Sequence, residues 1–339
     1  MSTMEKVFGI IAVLAICLIF VIILIMGILY LGRWKAKGIN PNKTFPRHPK
    51  GSHLTINQQR AINVGAILSG SNNDFCDSLT TSKSIAIKTI KDILSRDWQI
   101  QSSKEAIETL ERLKYGGHRQ IFNYILMNAT RLLPYKEGTI HLQDLYELIG
   151  FSMLDKRIIE DHPKEMALAE KNIDLIEDML KASSFEEIKK YQPRFGDEET
   201  FLTCIQIYMH FQRQFQSYEN GIKNLDVTLT DLQEGDYLGS DLSELKQIDT
   251  IAWDMGRMVN VARYCYDVGY ITESKAWEYI FYAEKESESH YADWSEFGRG
   301  YIIGRALWGG KSMSFYTMMT TLKELKEKDE SPWKLVSLH

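Results

Sequence analysis

Between Val7 and Leu31 the chain has 25 consecutive positions without a charged side chain, rich in Ile, Leu and Val. A helix rising about 1.5 Å per residue crosses a hydrocarbon core of about 30 Å over that length, with some tilt. Tyr30 and Trp34 fall at its C-terminal edge, where aromatic rings favour the membrane interface. A cleaved signal peptide would have a shorter apolar region followed by small residues. Here Gly32, Arg33, Trp34 and Lys35 follow, a stop-transfer pattern. A lipoprotein signal ending at Cys17 would want a small residue where Ile16 stands. The pattern predicts a transmembrane helix over 7–31 behind a short extracytoplasmic N-terminus, 1–6. Residues 32–53 contain Pro41, Pro46 and Pro49 with little apolar content, and read as a flexible, basic juxtamembrane tether.

From Leu54 onward apolar residues recur at helical spacing, with almost no alternating strand pattern. Ser102 followed by Glu105 fits a capping box ahead of the stripe Ala106, Ile107, Leu110 and Leu113. Gly116 and Gly117 close that helix, and 118–133 forms the next, ended before Pro134. Residues 141–153, 163–182, 197–218, 245–266, 272–290, 294–308 and 312–328 repeat the pattern. The fold class is therefore all-α: one transmembrane helix plus a compact array of about a dozen helices over 54–330, with 331–339 as a tail. The least regular stretch is 224–244, where six acidic residues and no basic one predict a solvated acidic loop rather than a calcium site.

Composition supports a folded body, with 44% hydrophobic and 25% charged residues. Charge is unevenly placed. Six basic residues and no acidic one lie between Arg33 and Lys50, and Glu5 cancels Lys6, so 51–339 carries −11 against −5 for the whole chain. An acidic body argues against non-specific nucleic-acid binding. The basic strip, through Arg33, Lys35 and Lys37, suits anionic lipid headgroups and predicts the N-terminus outside and the body in the cytoplasm. Four scattered cysteines with no C-x-x-C pair indicate a reduced compartment and no zinc framework. No cofactor or metal motif is found, and His210 and the Glu286/His290 pair read as structural or solvated positions.

Charged residues stand out on the helix predicted over 245–266. It is apolar nearly all round, which implies burial, yet it carries Asp254, Arg257 and Arg263, with Asp267 just beyond its end. Asp254 with Arg257 and Arg263 with Asp267 are spaced to pair on the helix surface. A second concentration is Trp294, Glu296, Arg299 and Arg305, interleaved with Gly298, Gly300 and Gly304, glycines that imply close approach of another helix or a ligand. A third is His118 with Arg119 at a predicted helix N-terminus, where anions are favoured. Two readings stay open. One is a set of buried ion pairs fixing helix register, with Trp253 and other tryptophans packed around them. The other is a pocket in which Arg257, Arg299 and Arg305 hold an anionic ligand, with Asp254, Asp267 or Glu296 as general acid or base.

The combination Asp97-Trp98, Gly117-His118-Arg119, Trp253-Asp254-Met255-Gly256-Arg257, Ala262-Arg263, Gly269-Tyr270-Ile271 and Gly304-Arg305-Ala306-Leu307-Trp308 resembles a bacterial family, domain of unknown function 1266. The resemblance is concentrated in 85–135 and 245–312. It implies a helical bacterial domain and supplies no catalytic residues. The hydrophobic N-terminus and the acidic 224–244 stretch lie outside it.

The expected function is a bacterial inner-membrane protein whose cytoplasmic helical domain binds a protein partner in an adaptor or immunity-type role. The competing expectation is an enzyme on a small anionic or phosphorylated substrate at the arginine-rich centre.

Overall fold

The computed structural model describes residues 43–81, 87–133, 163–180, 182 and 184–339, with isolated positions 18, 21, 24, 26 and 27. Among the described residues every regular element is helical. Two compact units form, one from Met1–Met127 with Asn224–His339 and one from Asn128–Lys223. The predicted membrane-spanning run lies almost entirely outside the described residues. Within them no helix is long and apolar enough to cross a membrane.

In the first unit the helices are α1 (Ile56–Asn63), α2 (Ala66–Asn72), α3 (Ile87–Trp98), α4 (Ser103–Tyr115) and α5 (Arg119–Met127). The second unit holds α6 (Ala129–Leu132), α7 (Pro163–Lys171), α8 (Ile173–Leu180) and α9 (Phe185–Lys189). The long α10 (Glu198–Glu234) begins in the second unit and ends in the first. The chain then adds α11 (Ile251–Asp267), α12 (Glu273–His290), α13 (Trp294–Gly309), α14 (Met313–Glu327) and α15 (Pro332–Leu335).

Several expectations change. The helix predicted over 118–133 breaks at Asn128, and the one over 163–182 breaks at Asn172, whose side chain bonds back to Leu168 O. The helix predicted from 245 begins at Ile251, after a 3-10 turn over Leu242–Gln247. The acidic loop is overturned for its first half, because α10 continues to Glu234. Leu225 and Leu232 bury one face there, and Asp231 is buried against Lys311 (3.2 Å) and Tyr316. Residues 141–153 lie outside the described residues.

The core of the first unit is α11, buried from Ile251 through Cys265. It packs against α12, α13, α4, α2 and α3, while α14 lies across α2 and α13. Enclosure on all sides explains why its sequence is apolar nearly all round. The α11–α13 contact is backbone-close: a Cβ on Gly304 would lie 2.5 Å from that of Trp253, and one on Gly256 would overlap the Tyr301 ring. The glycines of α13 thus answer to neighbouring side chains and helices. Ser102 caps α4 by accepting from Glu105 N, and Glu105 reaches back to the Gln101 amide and the Ser102 hydroxyl.

Both ends of the body are tied in. Residues 331–339 carry α15, and Trp333, Val336 and Leu338 are buried. The end of the expected tether is docked, not free. Phe45 is buried, Lys43 bonds Thr321 (3.1 Å) and pairs with Glu324 (3.5 Å), and Lys328 Nζ donates to Lys43 O. Lys43 is therefore committed to α14.

Candidate functional site

The charged candidates resolve into separate places. The first is built on Asp254, fully buried one turn into α11. Its carboxylate accepts from the His118 amide (3.1 and 3.0 Å), the Arg119 amide (3.1 Å), Arg119 Nη1 (3.4 Å) and Arg257 Nη2 (2.5 Å). An aspartate from α11 thus caps the N-terminus of α5, where a helix leaves amide donors free and favours negative charge. Gly117 makes this possible: its φ is +55°, and a Cβ there would overlap the carboxylate. His118 is half-buried, and its Nδ1 lies 2.9 Å from Arg257 Nη2. Since the guanidinium has only donors, that nitrogen accepts and the ring is neutral. Burial, reinforced by the Arg257 charge, pushes His118 down to about 4.

Arg257 begins a stack of cations and aromatic rings. Its guanidinium lies 5.6 Å from the Trp98 ring and 4.4 Å from that of Trp253. Trp253 meets Trp308 at 5.8 Å, and the Arg305 guanidinium lies 5.1 Å from Trp308. Arg257 and Arg305 are therefore linked through Trp253 and Trp308, although their electrostatics differ. Arg257 has Asp254. Arg305, only 2% exposed, has no carboxylate partner among the described residues. Its Nη2 donates to Ser312 Oγ and Ser314 Oγ, both at 2.7 Å, and its Nη1 has no partner. Burial lowers Arg305 to about 10, so it stays cationic at neutral pH. Trp253 Nε1 and Tyr301 OH, both buried, also lack partners among the described residues.

The other candidates lie elsewhere and serve the fold. Arg263 does not pair with Asp267. Its fully buried guanidinium donates to Ser69 Oγ (2.7 Å) and to the carbonyls of Phe75, Ser78, Leu79 and Thr80 (2.6–3.3 Å). Asp267 instead accepts from the amide and hydroxyl of Thr81. The loop's own donors and acceptors outcompete the i,i+4 pair, and the two side chains clamp 75–81 together. Arg299 holds Tyr237 O and Glu244. Glu296 accepts from the Ala292 amide at the start of α13. Trp294 stacks on Trp333 at 5.1 Å and donates to Val336 O. The imagined convergence of three arginines on one ligand is thus absent: Arg299 is apart.

A cavity of about 490 Å³ opens beside Trp98, but Asp97, Glu105 and Glu108 line it, which disfavours an anion there. The second unit has a groove of about 270 Å³ whose lining includes Phe185, Ile188, Ile205, Tyr208 and Met209. Phe185 and Met209, two large apolar side chains on its border, are 55% and 52% exposed. Neither these residues nor Ser312 and Ser314 stand out in the sequence. The serines had one available signal, a hydroxyl pair that follows Gly309-Gly310-Lys311 at a helix start.

A family model described as "Protein of unknown function (DUF1266)" matches residues 93–338, which takes in α4 through α15 and every candidate above. No curated protein and no solved structure matches the chain.

Proposed function

The chain belongs to the DUF1266 family, and from that premise we propose that it is a membrane-tethered binding protein rather than an enzyme. The carrying observation is the groove of the second unit, where Ile188, Ile205 and Tyr208 line an apolar strip flanked by exposed Phe185 and Met209. Its occupant is an amphipathic helix of a protein partner, with one large apolar anchor and basic flanking residues. Apolar grooves take such helices, and methionine adapts to the anchor. The −11 charge over 51–339 steers a basic partner and makes the encounter salt-sensitive.

Residues 7–31 hold the protein in a bacterial inner membrane, with the N-terminus outside and the body in the cytoplasm. Support comes from the uncharged run and from Leu18, Val21, Leu24 and Met26, helical positions whose apolar side chains are all exposed. Arg33, Lys35 and Lys37 face the anionic headgroups. The enzymatic alternative is weakened by the state of its acid and base candidates. Asp254 is saturated with hydrogen bonds, Asp267 is bound to Thr81, and Glu296 caps a turn.

A photo-crosslinking residue at position 202, which is exposed on α10, tests the groove in the full chain in native membranes. The expected result is a discrete crosslinked protein that fades at high salt and disappears with Phe185→Asp or Met209→Glu, both at exposed positions. A crosslinking pattern indifferent to salt and to both substitutions rejects the reading. Protease protection of the C-terminal body in sealed inside-in vesicles tests the topology, and digestion from outside refutes it.

A further inference from the structure

We propose that the corner between α13 and α14 is a binding site for a small phosphate-type oxyanion, held by Arg305, Ser312 and Ser314. This site lies in the first unit and does not depend on the groove of the second.

A guanidinium taken out of water needs a counter-charge or a full set of acceptors. Arg257 has Asp254, and Arg263 has carbonyls and a hydroxyl on every side. Arg305 is the exception among the three buried arginines. One of its terminal nitrogens is satisfied by two serines and the other by nothing. Its Nη1 is buried against Gly309, where a Cβ would come within 2.7 Å, and has no hydrogen-bond partner among the described residues.

What surrounds Arg305 is rich in donors and poor in negative charge. Ser312 is the N-cap of α14, accepting from Phe315 N, and the amides of Met313 and Ser314 are the first two of a 15-residue helix, without intrahelical acceptors. The two hydroxyls lie 3.1 Å apart, so one donates to the other; the remaining hydroxyl, two free amides and a buried guanidinium are donors of the kind a tetrahedral oxyanion takes. One turn back on the same face of α13, Tyr301 OH is a second buried group without a partner. Trp253 Nε1, on the ring packed 5.1 Å from Tyr301, is a third. Nearby Lys311 adds positive charge, although its own ammonium is engaged by Asp231 at 3.2 Å.

Access comes from the solvent side. Ser314 is exposed, and Trp308, the ring over Arg305, is 51% exposed. An indole so placed covers the cation while keeping part of its ring in solvent. Inorganic phosphate, a soluble phosphomonoester and a phosphomonoester lipid headgroup share the chemistry. A diester headgroup offers fewer oxygens and a lower charge.

The experiment uses the full chain in detergent micelles, titrated with inorganic phosphate against sodium chloride of equal ionic strength, with thermal unfolding and calorimetry as readouts. Saturable, phosphate-specific stabilisation is expected. Affinity should fall about tenfold or more with Arg305→Gln and about fivefold with Ser314→Ala, the sizes of a charged and a neutral hydrogen bond. Arg299→Gln, in the exposed pair with Glu244, should leave it unchanged. Ser314 is exposed, so its variant keeps the test decisive where Arg305→Gln does not fold. Vesicles containing phosphatidic acid, run beside phosphatidylcholine vesicles, distinguish a lipid headgroup from free phosphate, and a response to either probe that Ser314→Ala weakens supports the site. Stabilisation no greater than that by chloride, or phosphate binding indifferent to Ser314→Ala and Arg305→Gln alike, overturns it and leaves a corner satisfied by water alone.

Discussion

Asp254 shows how much of a site a single carboxylate can organise. It neutralises Arg257, caps α5 through two amides and joins elements more than a hundred positions apart in the chain. Removing Arg257 leaves buried Asp254 with Arg119 and the amides but without its shortest cationic contact, so Arg257→Ala should cost up to about 3–5 kcal/mol, read by denaturant unfolding of the full chain. Retained stability would mean that Arg119 and the amides alone suffice. Gly117→Ala should cost at least about 2 kcal/mol, because the left-handed backbone and the carboxylate both refuse a side chain. The Asp254–Arg257 pair was legible from its i,i+3 spacing. The capping role was not, since nothing local in the sequence ties Gly117 and His118 to a residue so distant. Arg263 and Asp267 show the opposite failure: correct spacing, but a loop supplied better partners than either side chain could offer the other.

At the scale of elements, that loop is the informative case. Residues 75–81 form no helix, and their buried carbonyls need donors. Arg263 supplies these from α11, Asp267 receives Thr81, and the Cys76 amide donates to Pro46 O from the docked N-terminal segment. Arg263→Met keeps the apolar stem and removes every donor. It should abolish amide-exchange protection at residues 75–81 while leaving most of α11 protected, as hydrogen exchange would report. Unchanged protection across 75–81 would show that the loop stands without the clamp. Helical periodicity made α4, α12, α13 and α14 legible almost to their ends. It failed at 224–234, where six acidic residues across 224–244 suggested solvent, although Leu225, Thr228 and Leu232 keep helical spacing and Asp231 has Lys311 waiting on another element. Charge composition misled there because the neutralising partner comes from a different part of the chain. Proline content misled similarly in the tether, where at 43–48 one buried phenylalanine and one lysine outweigh the prolines around them.

Over the whole molecule, two shifted titrations should set opposite flanks of the stability profile. Glu284 on α12 is nearly buried beside Arg60 (3.6 Å) and near Glu288. Burial first, then Glu288, raises it to about 7 despite Arg60. Its folded value exceeds the unfolded 4.5, so its stabilising contribution is complete below 4.5 and is lost as pH rises through about 7. His118 works the other way. Its folded value, about 4, lies below the unfolded 6.5, so its contribution is present above 6.5 and is lost as pH falls through about 4. Glu284→Gln should therefore stabilise the protein relative to wild type at pH 8, by about 3 kcal/mol at most, with the gain shrinking towards pH 4.5. His118→Gln should flatten only the acid flank, and a titration of the His118 ring by NMR should have its midpoint near 4. Melting curves of the two variants across pH 4 to 9 separate these effects. If both variants shift the same flank, or neither shifts any, the charges on α1, α5, α11 and α12 are coupled differently from the contacts described, and Arg60 and Arg257 become the residues to exchange next.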